Sequence, residues 1–201
     1  LSAAAILLYT APAIVTLLSA LLFKERLTGL KLLAVLLAFL GCALVSGLGA
    51  GDMALSTAGI LYGLGAGFGY AMYSIFARYA LERGYSSNTI NFYSCLLAAL
   101  GAALIWGVDG VFETAAASGG NLALAIGAGV VTCYLPYLLY THGLTGMETG
   151  RASIMASVEP VVATIVGAAV FHERMGLLSY CGVVLVLSAV VLLNAGPKRR
   201  V

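Results

Sequence analysis

Glu159 stands beside Pro160 in the middle of the apolar run A-S-I-M-A-S-V-E-P-V-V-A-T-I-V, and it is the acid best placed to do chemistry in this sequence. Of the eight acidic residues, the other seven lie near the ends of apolar stretches or between them. A carboxylate at that depth can take up a proton or hold a cation. Pro160 has no N–H, so the carbonyl of Ala156 loses its helical donor; Pro12 does the same to Leu8, and Pro136 interrupts a third apolar run. Freed carbonyls beside a carboxylate suit a cationic or polar guest, and kinked helices suit gates. The plainer reading is a carboxyl that satisfies backbone at the break, with kinks that never move.

Tyr62, Tyr70 and Tyr73 fall within about 80° of one another at about 100° per residue, and Tyr134, Tyr137 and Tyr140 surround Pro136. Tyrosine hydroxyls in lipid would lack partners, so those at mid-depth are expected to face the interior. Glu159, Tyr70, Tyr73, Tyr137 and Tyr140 are therefore the expected substrate contacts, although such stripes more often serve packing.

Other chemistries lack their parts. Gly49-Ala50-Gly51-Asp52 matches the G-x-G-D of intramembrane aspartyl proteases, without a second intramembrane Asp. His142 and His172 fall at opposite faces, and the four cysteines stand singly without C-x-x-C spacing, so no metal site is expected. No lysine lies between Arg174 and Lys198, which excludes a Schiff base in the last apolar run. The glycines at 59, 63 and 67 lie inside an apolar run and read as a packing face, not a phosphate loop. No catalytic residue, cofactor or nucleic-acid partner is expected.

These residues need a scaffold, and composition dictates its class. The chain has 201 residues, 62% hydrophobic and 9% charged, with a mean hydropathy of +1.05, whereas a soluble domain is about a quarter charged. An all-α, polytopic membrane bundle is the remaining class. Apolar runs give seven candidate spans, 3–23, 30–49, 57–77, 88–107, 121–142, 152–171 and 175–194, joined by short connections that include 108–120. Alternating them across the membrane puts Lys24, Arg26, Lys31, Arg78, Arg83, Arg151, Lys198, Arg199 and Arg200 on one side and only Arg174 on the other. Nine against one marks the first side as cytoplasmic, with the C-terminus.

A shift of 148 residues aligns Phe23, Glu25 and Arg26 with Phe171, Glu173 and Arg174, and Pro12 with Pro160. The aligned spans are an odd number apart, so the copies cross in opposite senses, as in the inverted repeats of secondary transporters. Both E-R pairs read as loop-tying or anchoring groups at the membrane edge. Arg151 reads as an interfacial anchor or, less readily, a gate partner of Glu159. The mirror of Glu159 is Ala11, so the repeat itself has no need of that carboxyl.

The stretch L-Y-T-A-P-A-I-V-T-L-L-S-A-L-L-F-K-E-R-L from Leu8 to Leu27, and G-R-A-S-I-M-A-S-V-E-P-V from Gly150 to Val161 with H-E-R at His172 to Arg174, resemble the EamA-type members of the drug/metabolite transporter superfamily. The resemblance implies ten helices in two inverted fives and carriage of small metabolites. On that expectation, 1–49 holds the last two helices of the first repeat, 57–194 the second five-helix repeat, and 195–201 a cytoplasmic tail, with three helices preceding Leu1. The expected protein is an integral plasma (inner) membrane exporter of amino acids or related compounds. It works by alternating access in the lipid bilayer, with a proton or counter-ion as candidate co-substrate. The competing classes are an intramembrane enzyme and a seven-helix receptor-like protein.

Overall fold

The computed structural model describes residues 6–46, 57–117, 119–172 and 176–195, and every regular element among them is helical. In chain order the elements are α1 (Ala11–Leu22), α2 (Gly29–Val45), α3 (Thr57–Glu82), α4 (Ser87–Trp106), α5 (Asp109–Ala117) and α6 (Gly119–Ala128). A π-helical stretch, Gly129–Tyr134, leads into α7 (Leu135–Leu144), followed by α8 (Thr149–Ala156), α9 (Glu159–Val170) and α10 (Leu177–Ala195). Asp52, Glu173, Arg174 and the tail from residue 196 lie outside the described residues.

Five stretches are long and apolar enough to cross a membrane: Thr57–Glu82, Ser87–Ile105, Gly119–Leu144, Thr149–Val170 and Leu177–Asn194. Ile6–Leu22 and Gly29–Val45 are apolar but shorter. Among the described residues, the seven expected spans thus reduce to five of full length. The limits expected for the other two, 3–23 and 30–49, run into residues outside the described set. The expected connection 108–120 is also different, since Asp109–Ala117 is helical. Asp109 in its first turn complements the helix dipole, and three alanines in its last turn are strong helix formers.

The chain packs as two compact units, Leu1–Phe76 with Gly146–Val201, and Ala77–Thr145. In the first unit, α2 and α10 form the most extensive helix pair. Ala34 and Ala38 pack with Ala189 and Leu193, while Gly41 meets Gly182 and Val186, so the two helices run antiparallel. At the crossing the backbones touch: a Cβ on Gly41 would lie 2.7 Å from the carbonyl oxygen of Gly182, and one on Gly182 would lie 2.6 Å from that of Gly41. Lipid tails are as apolar as leucine, so dispersion between closely approaching backbones holds such pairs together. A second cluster, Cys42, Val161 and Val186 with Tyr9 and Val158 against it, joins α2 and α10 to α9.

In the second unit, the buried Arg78 donates from Nη1 to the carbonyl of Leu144 at 2.8 Å and from Nε to Glu82 at 3.1 Å. A guanidinium there satisfies the last turn of α7 and opposes its dipole. Asn91, also buried, donates to the carbonyl of Tyr134 at 2.9 Å. That carbonyl ends the π-helical stretch, which sits immediately ahead of Pro136, where the missing N–H disturbs the helical ladder.

Candidate functional site

Two helical paths of the first unit break at positions related by the sequence repeat. Turns occur at Tyr9–Thr10 and Ser157–Val158, and the 148-residue shift that superposes Pro12 on Pro160 superposes the turns as well. Each proline lies in the first turn of the helix that follows, where a missing N–H costs nothing. Both turns tighten to i−3 bonds: Thr10 N–H to Leu7 O and Ser157 N–H to Ile154 O, each at 3.1 Å. The far ends match too. Phe23 and Phe171 cap α1 and α9 through N–H bonds to Ser19 and Gly167, and the next residues, Lys24 and His172, take left-handed φ values of 55° and 56°.

Both breaks open onto one cavity of about 30 Å³, room for a water or two. Leu8, Tyr9, Ala11 and Pro12 line it from the first break, Ser153, Ala156, Ser157 and Glu159 from the second, and Tyr70 from α3. Leu8 and Ala156 are the residues whose carbonyls the prolines deprive of donors. Gly67 lets α3 come close: a Cβ there would lie 2.9 Å from Thr10 Oγ1 and 3.0 Å from the carbonyl of Leu7. Cys42 donates its thiol to the carbonyl of Ser157 at 3.6 Å, tying α2 to the second break. The Ser157 hydroxyl is buried and has no hydrogen-bond partner among the described residues, so the cavity wall offers an unpaired polar group beside the carboxylate.

Glu159 is exposed and opens α9, where free N–H groups and the positive dipole end favour an anion. Ala11 opens α1 at the mirrored place without a charge, so such a helix start forms with or without a carboxylate. Of the other expected substrate contacts, Tyr70 reaches the cavity, while Tyr73 is half-buried on the same helix and is not part of the wall. Tyr137 and Tyr140 belong to the second unit, one exposed and one half-buried. Arg151 donates to the carbonyl of Leu193 in the last turn of α10. Sequence reading did not single out Tyr9, Ser153 or Ser157. The repeat held a signal for two of them, because Tyr9 and Ser157 are mirrored residues immediately ahead of the two break-forming segments.

Long apolar helices, backbone-contact crossings and a small polar-edged cavity between broken helices define a polytopic helical membrane protein. More narrowly, the chain belongs to the EamA-like transporter family, whose model matches residues 1–47 and 57–195. It is 32% identical to an uncharacterized transporter of Archaeoglobus fulgidus over 94% of this chain and 65% of that one. To the uncharacterized transporter YwfM of Bacillus subtilis it is 26% identical, over 95% of this chain and 63% of the relative. The chain thus spans somewhat less than two thirds of the length of these relatives. A solved crystal structure shares the fold, with a TM-score of 0.77 at 16% identity over 96% of this chain and 68% of the other.

Proposed function

We propose that the protein is a secondary transporter of small metabolites such as amino acids or related compounds. It moves them outward by alternating access between two inverted halves. The observation that carries this reading is the pairing of two repeat-related breaks on one cavity, with the one span-embedded carboxylate on its wall. Broken helices are the usual membrane device for presenting backbone and side-chain polar groups to a solute. A cavity of about 30 Å³ takes water-sized guests. Passage of a metabolite therefore requires the half-helices to part, which is what alternation between halves supplies. Glu159 binds a proton, a cation or the ammonium of a substrate, and Tyr70 and Tyr73 contact the solute. The full-length protein in proteoliposomes is expected to show uptake or counterflow of some solute in a metabolite panel. Hydrolysis of a panel member without flux would instead identify an enzyme.

The proposed orientation places the C-terminus and the connection containing Ser86 in the cytoplasm, on the strength of the nine-to-one distribution of basic residues. In full-length protein lacking the four native cysteines, a cysteine at Ser86 is expected to react with an impermeant thiol reagent from the inside only, and one at Ser118 from the outside only. Ser118 lies outside the described residues. The reverse pattern overturns the orientation.

A further inference from the structure

α1 and α8 pack side by side in opposite directions. α1 starts at the cavity with Ala11 and Pro12, and α8 ends there with Ala156. At their other ends a buried charge cluster ties them together. After the left-handed Lys24, the N–H of Glu25 bonds back to the carbonyl of Ser19, six residues earlier, at 3.4 Å, which folds Glu25 back over the end of α1. Its carboxylate accepts the N–H groups of Thr149 and Gly150 at 2.6 and 3.2 Å, the first two residues of α8. It also accepts from Ser19 Oγ at 3.0 Å and from Lys31 Nζ at 2.9 Å. Lys31, in the first turn of α2, bridges on to Glu148 at 3.3 Å, and the side chains of Glu25 and Lys31 are only 6% and 4% exposed. Burial pushes the Glu25 carboxyl up, but the hydrogen bond and charge of Lys31 with the two N–H groups outweigh it and hold it below the usual carboxylate range. Gly150 leaves no slack, since a Cβ there would lie 2.9 Å from Lys31 Cε and 3.2 Å from Thr16 Oγ1.

α8 has eight residues, so at about 1.5 Å per residue the cluster stands one half-helix from the cavity. We propose that Glu25 is a gating residue: shared between Lys31 and the N-terminus of α8, its carboxylate holds α8 against α1 and closes the cavity toward the face that carries Lys24 and Arg26. Loss of that hold frees Thr149 and Gly150, and with them the segment that carries Ser153 and Ser157. A helix held by a charged hydrogen-bonding side chain from another element is a natural two-state contact, made or unmade as a whole.

The inference rests on the carrier reading, yet its test needs no substrate. In full-length protein without native cysteines, a cysteine replaces Ser153, which is 1% exposed on the cavity wall. An impermeant thiol reagent is then offered from each side in oriented vesicles. Glu25→Gln is expected to raise labelling from the Lys24 and Arg26 face about tenfold, the size of a lost charged hydrogen bond, and not from the opposite face. Gly150→Ala, whose added methyl meets the Lys31 side chain and leaves the Glu25 carboxylate chemically intact, should act in the same direction. Glu25→Asp keeps the charge on a shorter arm and should fall between. If Glu25→Gln does not elute as a folded protein on size exclusion, the other two variants carry the comparison. Unchanged labelling, or a rise from both faces together as in general loosening, overturns the gate. A face-specific rise in a protein that moves no solute would leave the gate standing and remove the carrier, whereas flux with unchanged labelling does the opposite.

Discussion

Glu159→Gln in the full-length protein is expected to abolish flux, or to make it independent of pH, while expression and folding survive. The structural loss is small. Glu159 is exposed at the first turn of α9, and removing a charge from a helix start costs up to about 1 kcal/mol. Ala11 begins the mirrored helix with no carboxylate, so the break itself forms without one. The functional loss is large because no other lining residue of the cavity carries an ionisable carboxyl; the remaining polar groups are hydroxyls of Tyr9, Tyr70, Ser153 and Ser157. Flux in proteoliposomes across a range of pH, compared with wild type, measures it. Normal transport with unchanged pH dependence would show Glu159 to be a helix-terminal charge and nothing more.

Gly182→Ala is expected to destabilise the protein by about 1–3 kcal/mol, because the added methyl meets backbone atoms as well as Cγ2 of Val45, and the backbone cannot swing aside. Its Cβ would stand 2.6 Å from the carbonyl oxygen of Gly41 and 2.8 Å from the amide nitrogen of Val45, and neither can move without separating α2 from α10. Gly65→Ala is the matched control. Nothing lies within 4 Å of a Cβ there, so it should be neutral or stabilising by up to about 1 kcal/mol through helix propensity. Thermal unfolding of the detergent-solubilised full-length protein separates the two. Equal shifts for both substitutions would mean that the crossing is not held by backbone contact.

The local chemistry of this chain is legible residue by residue. Its hydropathy leaves no alternative to membrane helices, because water cannot accept that much apolar surface. The places where helices break follow from Pro12 and Pro160, since an imino nitrogen cannot donate. The repeat follows from F-x-E-R and proline in one register. Local competition is harder to read. Asp109–Ala117 looks like a connection because it carries acids and a glycine, yet a dipole-matched first turn and a run of alanines make it a helix.

What the sequence determined by itself was membrane class, family signature and the positions of the breaks, all set by residue types within a turn or two of one another. Tertiary structure alone decided which surfaces meet: Gly41 on Gly182, both breaks on one cavity, and Glu25 on the amides of Thr149 and Gly150 more than a hundred residues away. The physical reason lies in helices that are apolar on nearly every face. Without a polar side to contrast, periodicity cannot say which side packs inward. The choice then falls to where small residues let backbones touch and where a buried charge finds its donors, and both depend on the shape of a distant partner.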